Sequence, residues 1–299
     1  MDQQRLRGVM APVLTPMDGN LNPDVLRWIA LCKELLSNGC TGLAPFGTTS
    51  EANSLGIEER IEMLDRAVEA GIPASKLVVG TGTCALPDTV RLSAHAATLK
   101  CAGILLLPPF YYKGVPEEGI YRSVAELLER VGDSSLKIYL YHIPPVAVVG
   151  FSLALIERLK KAFPMNVVGM KDSSADLAFH LSALKAFPDF DLWAGTEKLL
   201  LANLAGGGVG TISAMANVIP AEIRALYESW REPGAEDWQS ALDSHRAAIK
   251  EWPLVPALKA IKADETGVDE WRLTRPPLVG LGDAQAQAML AAYRATFAG

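Results

Sequence analysis

The sequence predicts an α/β chain folded as a (β/α)8 TIM barrel with a C-terminal helical extension, and three observations predict it. Short apolar runs recur eight times, at 8–14, 41–45, 77–80, 103–107, 138–141, 167–171, 192–195 and 209–213. Amphipathic stretches separate them. After Ser213 the alternation stops and only helix-like stretches follow. Runs apolar on both faces that alternate with helices make a parallel sheet covered by helices. Eight such units fit a closed barrel better than an open sheet of about five or six strands.

Each helical stretch has its own signals. The stretch 22–37 opens on a candidate cap, Asn22, with Pro23 in the first turn. Its apolar residues Val25, Trp28, Ile29, Cys32, Leu35 and Leu36 fall at helical steps, and Gly39 is its stop signal. The stretch 57–70 repeats the design ahead of Gly71. Further helices are expected at 87–100, 116–131, 152–162, 177–186 and 197–205, and in the tail at 220–230, 235–249, 255–262 and 283–298. The chain thus divides into a barrel, 1–219, and a helical extension packed on it, 220–299, without a Gly/Ser/Pro-rich linker.

Composition narrows the function classes. The 299 residues are 49% hydrophobic and 21% charged, enough for one large core. A net charge of −6 and Lys/Arg runs no longer than two residues argue against nucleic-acid binding. Cys32, Cys40, Cys84 and Cys101 form no C-x-x-C pair and lie near no His cluster, so buried free thiols are expected and a zinc site is not. No apolar run reaches the length of a membrane span, and the first residues lack a signal-peptide pattern. The chain reads as cytoplasmic.

Barrel enzymes carry their chemistry at the C-terminal ends of strands. There the sequence places Phe46-Gly47-Thr48-Thr49-Ser50-Glu51, Pro108-Pro109-Phe110-Tyr111-Tyr112-Lys113, Tyr141-His142-Ile143-Pro144, Gly169-Met170-Lys171-Asp172 and Gly195-Thr196-Glu197. Lys171 closes an apolar strand, where desolvation favours an uncharged amine able to attack a ketone and form an imine. The plainer alternative is a strand-end lysine with its head in solvent. Tyr141 ends the preceding strand and can shuttle protons beside Lys171, or be a core tyrosine with a satisfied hydroxyl. Gly47-Thr48-Thr49 can hold a carboxylate through hydroxyls and backbone N–H groups, or be a simple turn.

Strand alternation turns Asp172 away from the face of Lys171, so it is read as structural, and His142 is demoted on the same ground. Lys113 and His142 are open as anion contacts. Gly80-Thr81-Gly82-Thr83-Cys84-Ala85 fits a dinucleotide fingerprint but lacks the acidic residue about 20 positions on. Gly206-Gly207-Gly208 precedes a strand, which suits close packing and not phosphate binding.

Together these motifs resemble the dihydrodipicolinate synthase / N-acetylneuraminate lyase family of pyruvate-dependent class I aldolases. The resemblance spans roughly residues 8–282. It rests on Gly47-Thr48-Thr49-Ser50-Glu51, on Pro109-Phe110-Tyr111-Tyr112 with Glu118-Gly119-Ile120-Tyr121, on Tyr141-x-Ile143-Pro144, on Gly169-Met170-Lys171-Asp172, and on Gly208-Val209-Gly210-Thr211-Ile212-Ser213. It implies that Lys171 forms the Schiff base, that Tyr141 relays protons, and that Thr48 and Thr49 meet the pyruvate carboxylate. Tyr112 would reach across a dimer interface into the relay, and Ile212 would line the pocket. Gly195 falls in the segment that only loosely resembles the sugar-binding loop of the lyases. The resemblance further implies a homotetramer, a dimer of dimers, with a small 2-oxo acid as ligand and no metal or organic cofactor beyond the imine on Lys171.

Two departures bear on substrate. Val146 stands where the dihydrodipicolinate synthases carry an arginine for the second substrate's carboxylate, and Ser50 replaces a common glycine. The expected activity is therefore cleavage of a 4-hydroxy-2-oxo acid of the 2-keto-3-deoxy sugar-acid type to pyruvate and an aldehyde. The alternatives are a dihydrodipicolinate synthase, a keto-deoxy sugar-acid dehydratase, and a non-catalytic metabolite-binding relative.

Overall fold

The computed structural model describes residues 5–297. Eight parallel strands alternate with helices: β1 (Gly8–Ala11), α1 (Val25–Ser37), β2 (Gly42–Leu43), α2 (Ile57–Glu69), β3 (Val78–Gly80), α3 (Leu86–Thr98), β4 (Gly103–Leu106), α4 (Glu117–Val131), β5 (Ile138–His142), α5 (Pro144–Ala147), α6 (Leu153–Ala162), β6 (Val167–Asp172), α7 (Leu177–Ala186), β7 (Asp191–Ala194), α8 (Leu200–Ala205) and β8 (Gly210–Ile212). The strands pair in the order β2-β1-β8-β7-β6-β5-β4-β3, and a parallel bridge between Leu43 and Leu77 joins the two ends of the sheet. The fold is the expected TIM barrel. The tail adds α9 (Pro220–Ser229), α10 (Ala235–Ala248), α11 (Leu254–Thr266) and α12 (Asp283–Ala295). Here α9 packs on β1 and α8, α10 on α8 and α9, and α11 on α12.

Alternation sorts the strand residues into two layers. Val9, Ala11, Ile138 and Leu140 join the large core between strands and helices, while Met10, Tyr139, Tyr141, Trp193 and Ile212 form the smaller core inside the barrel. One irregularity decides the site. Ile138 pairs with Val167, but Tyr139 pairs with Gly169, so Val168 is an extra residue in β6. A one-residue bulge resets the inward–outward parity of everything after it. Val168 belongs to the inner core, Met170 to the outer one, and Lys171 comes to lie opposite Tyr141. Without the bulge, parity counted from Val168 would turn Lys171 outward.

Several local expectations need correction. The first helix begins at Val25 and not near Asn22, because Asp24 caps it by accepting from the Arg27 N–H at 2.9 Å. The Asn22 N–H instead donates to Asp18 Oδ1 at 2.8 Å, in a turn before the helix. The stretch 197–205 splits into a 3-10 turn, Glu197–Leu199, followed by α8, since the Thr196 side chain accepts from the Lys198 N–H. α11 outruns the expected 255–262 as far as Thr266, where Gly267 ends it with φ 68°. α12 stops at Ala295, and the expected end at Ala298 lies outside the described residues. Cys84 is exposed, unlike the buried Cys32 and Cys40 and the half-buried Cys101. It lies in the open turn between β3 and α3, so the expectation of four buried thiols fails there. Burial pushes the Cys40 and Cys101 thiols up to about 12, the pKa range of an inert thiol.

Candidate active site

Lys171 and Tyr141 are register partners at the C-terminal ends of β6 and β5. Both are buried, with 4% and 3% of their surface exposed. The amine of Lys171 donates to the Tyr141 hydroxyl at 3.4 Å and lies 4.4 Å from the centre of its ring. The same hydroxyl lies 3.1 Å from Thr48 Oγ1, in the loop after β2. Thr48 is exposed at the mouth, and Thr49 is buried. The structure thus joins Thr48, Tyr141 and Lys171 in one hydrogen-bonded chain running from the barrel mouth to the buried amine. Ile212, at the end of β8, is fully buried in the same inner core as Tyr141.

The threonine loop is held in an uncommon shape. Phe46 at its start and Glu51 at its end both have positive φ, 61° and 57°. A non-glycine residue held there stores roughly 1–3 kcal/mol, which its surroundings must offset. The Phe46 ring stacks on Trp28 at 5.7 Å, and Arg60 stands 5.9 Å from its centre. The Ser50 carbonyl accepts from Thr15 Oγ1 at 2.7 Å, and the Glu51 N–H closes a turn onto the Thr48 carbonyl at 3.1 Å. Ser50 Oγ is buried without a hydrogen-bond partner among the described residues.

Behind Lys171 lies a buried polar network. The Asn203 amide donates to the Leu192 and Gly210 carbonyls at 3.2 and 2.8 Å, so its Oδ1 is left to accept from His180 Nε2 at 2.9 Å. His180 Nδ1 meets Asp172 Oδ2 at 2.8 Å. Both ring nitrogens of His180 are thereby engaged, one by Asp172 and one by Asn203. Burial alone would raise the Asp172 carboxyl, but the bonds from His180 and Ser174 outweigh it and hold the group below the usual carboxylate range. Asp172 faces this network, away from Lys171. His142 has a packing role too: its Nδ1 accepts from the Phe151 N–H at 2.9 Å, and its ring stacks on Phe179 at 4.5 Å.

Other candidates fall elsewhere. Tyr112 is 72% exposed on the loop after β4, edge-on to Tyr111 at 5.3 Å. No hydrogen bond joins it to Thr48 among the described residues of the single chain. Lys113 turns its amine to the backbone carbonyls of Phe110 and Ala147, the latter at 3.0 Å, and ties the β4 loop to α5. Gly195 follows β7 with its N–H on the Asp172 carbonyl at 2.7 Å, where a Cβ would lie 2.0 Å from Ser173 Oγ. That fits a backbone role beside Lys171. Gly208 makes the close approach expected of its segment, since a Cβ there would meet the Asn203 amide at 2.0–2.4 Å.

Glu197, which the sequence places at the end of the seventh apolar run, is given no role there. It is fully buried, with Oε2 hydrogen-bonded to Ser213 Oγ and Oε1 unpartnered among the described residues. Its position just after β7 was the available signal. The described residues bring no three His, Cys, Asp or Glu side chains together as a metal-holding group, and no helix among them is long and apolar enough to cross a membrane.

Comparison with known proteins places the chain in a family and confirms its fold. The model of the dihydrodipicolinate synthetase family matches residues 5–295. An uncharacterized DapA-like lyase of Chloroflexus aurantiacus is 31% identical over 298 residues, covering 98% of each chain. The crystal structure of a dihydrodipicolinate synthase from Agrobacterium tumefaciens superposes with a TM-score of 0.92 at 32% identity, covering 98% of this chain and 100% of that one. The 2-keto-3-deoxygluconate aldolase of Sulfolobus, in complex with D-KDPG, shares the fold with a TM-score of 0.88 at 20% identity, covering 97% and 96%. The protein therefore belongs to the dihydrodipicolinate synthetase family, the pyruvate-dependent class I aldolases.

Proposed function

We propose that the protein cleaves a 4-hydroxy-2-oxo acid of the 2-keto-3-deoxy sugar-acid type to pyruvate and an aldehyde through an imine on Lys171. The observation that carries the proposal is the chain Thr48–Tyr141–Lys171, with contacts of 3.1 and 3.4 Å. Lys171 attacks the C2 ketone, and loss of water leaves the imine. Thr48, Thr49 and nearby backbone N–H groups hold the C1 carboxylate. Tyr141, left as a phenolate by giving its proton to the departing water, takes the proton of the C4 hydroxyl as the C3–C4 bond breaks, and the electron pair passes into the protonated imine to give an enamine. Protonation at C3 and hydrolysis release pyruvate and regenerate the amine.

Val146 favours a lyase over a synthase. It sits on α5 with 62% of its surface exposed and offers no charge to a second carboxylate. The synthase reading is supported by the 32% identity to the Agrobacterium enzyme and by further relatives named as synthases at up to 35% identity. The exposed Tyr111-Tyr112 edge supports a second copy covering this loop, with Tyr112 completing the neighbour's relay in a homotetramer.

Parallel assays separate the readings. Pyruvate release from 2-keto-3-deoxygluconate, with an equimolar aldehyde, is expected. A higher kcat/KM for condensing pyruvate with aspartate semialdehyde would make the protein a synthase. Water loss without aldehyde would make it a dehydratase.

A further inference from the structure

The loop that carries Thr48 and Thr49 is gripped from the far end of the chain. Lys259, on α11, forms an ion pair with Glu51 in which neither side chain has any exposed surface. The same amine donates to the Leu273 carbonyl at 2.7 Å. Glu51 uses its second oxygen to accept from the Arg275 N–H at 3.1 Å. The Arg275 guanidinium then reaches the Ser54 carbonyl at 2.7 Å, both oxygens of Glu59 at 2.8 Å, and the Leu21 carbonyl. Residues 21, 51, 54 and 59 are thereby fastened to residues 259, 273 and 275 of the tail.

The energetics of this pair point to placement more than to stability. Burying two charges costs more desolvation than their attraction returns in many proteins, and apolar replacements are often as stable. Burial pulls the Lys259 amine down, and the carboxylate of Glu51 opposes that pull. In some proteins such a pair is retained because it fixes one geometry against others. Glu51 is also the residue in the left-handed region, φ 57°, whose N–H closes the turn on the Thr48 carbonyl. What holds Glu51 therefore holds the turn that presents Thr48 and Thr49.

We propose that Lys259 is a positioning residue for the active site, acting through Glu51 to set the threonine loop for the carboxylate of the 2-oxo acid, so that the C-terminal extension is part of the binding machinery. This rests on the reading of Thr48 and Thr49 as carboxylate contacts.

Borohydride trapping of pyruvate, titrated over pyruvate concentration, tests it. Lys259→Met should raise the half-saturating pyruvate concentration by about tenfold, the loss of one or two good hydrogen bonds, while the Lys171 adduct still forms at saturation. Because a lone buried carboxylate works against folding, the double variant Glu51→Gln/Lys259→Met is measured alongside. With no buried charge left, its Tm should return toward that of the parent while its half-saturation stays raised. A parental half-saturation in either folded variant would overturn the proposal and leave the pair a stabilising contact only. If the parent itself fails to trap pyruvate, the aldolase reading falls instead, and the two failures are told apart.

Discussion

Tyr141 and Lys171 face each other across neighbouring strands, and the one-residue bulge at Val168 is what sets them face to face. The phenol stands 3.4 Å from the amine and 3.1 Å from Thr48 Oγ1, so one hydroxyl serves both ends of a proton path. This geometry gives Tyr141 a role in chemistry separable from its role in packing.

Tyr141→Phe keeps the ring in the inner core and removes only the hydroxyl. Turnover should fall by about 10²-fold or more, the usual contribution of a positioned acid–base group. The KM should change little. Steady-state kinetics on the cleaved oxo acid checks this, and unchanged turnover would remove Tyr141 from the relay.

Asp172→Asn breaks the buried partnership with His180, whose side chains are 1% and 0% exposed. Removing one member of a buried pair strands the other, and a loss of about 3 kcal/mol is expected. Urea unfolding measures it. A loss below about 1 kcal/mol would show that the buried pair contributes no more than an exposed one.

His142 gives the protein a pH dependence of stability. Burial holds its imidazole below the ordinary 6.5, against the opposing pull of Asp172 and Asp176. The unfolded chain then takes up a proton before the folded one does as the pH falls. Stability from this residue is complete above about 6.5 and declines as the pH drops from there toward the depressed folded value. His142→Asn, whose side-chain carbonyl can still accept from Phe151, should flatten that decline. An identical pH slope in the urea midpoints of both proteins would assign the effect to another group.

Much of this was readable from residue order. The eight apolar runs became the eight strands because parallel strands buried on both faces leave no polar side in the sequence. Lys171, Tyr141, Thr48 and Thr49 were visible because chemistry in a barrel sits at strand ends. The bulge at Val168 was not, since Val-Val-Gly-Met reads as a regular strand and only pairing with β5 shows the extra residue. The Lys259–Glu51 pair was hidden for a related reason. A lysine among Pro256, Ala257, Leu258, Ala260 and Ile261 looks like one polar position on a helix, and its partner lies 208 positions earlier. Tyr112 was placed by family likeness, and the single chain leaves it exposed.

The central claim is that Lys171 is the amine that condenses with the 2-oxo acid. Borohydride reduction in the presence of pyruvate, followed by intact-mass and peptide analysis, tests it most directly. The account predicts one adduct per chain, on Lys171, absent from Lys171→Ala. A folded protein that binds pyruvate but gives no adduct, or an adduct that persists in Lys171→Ala, would contradict it.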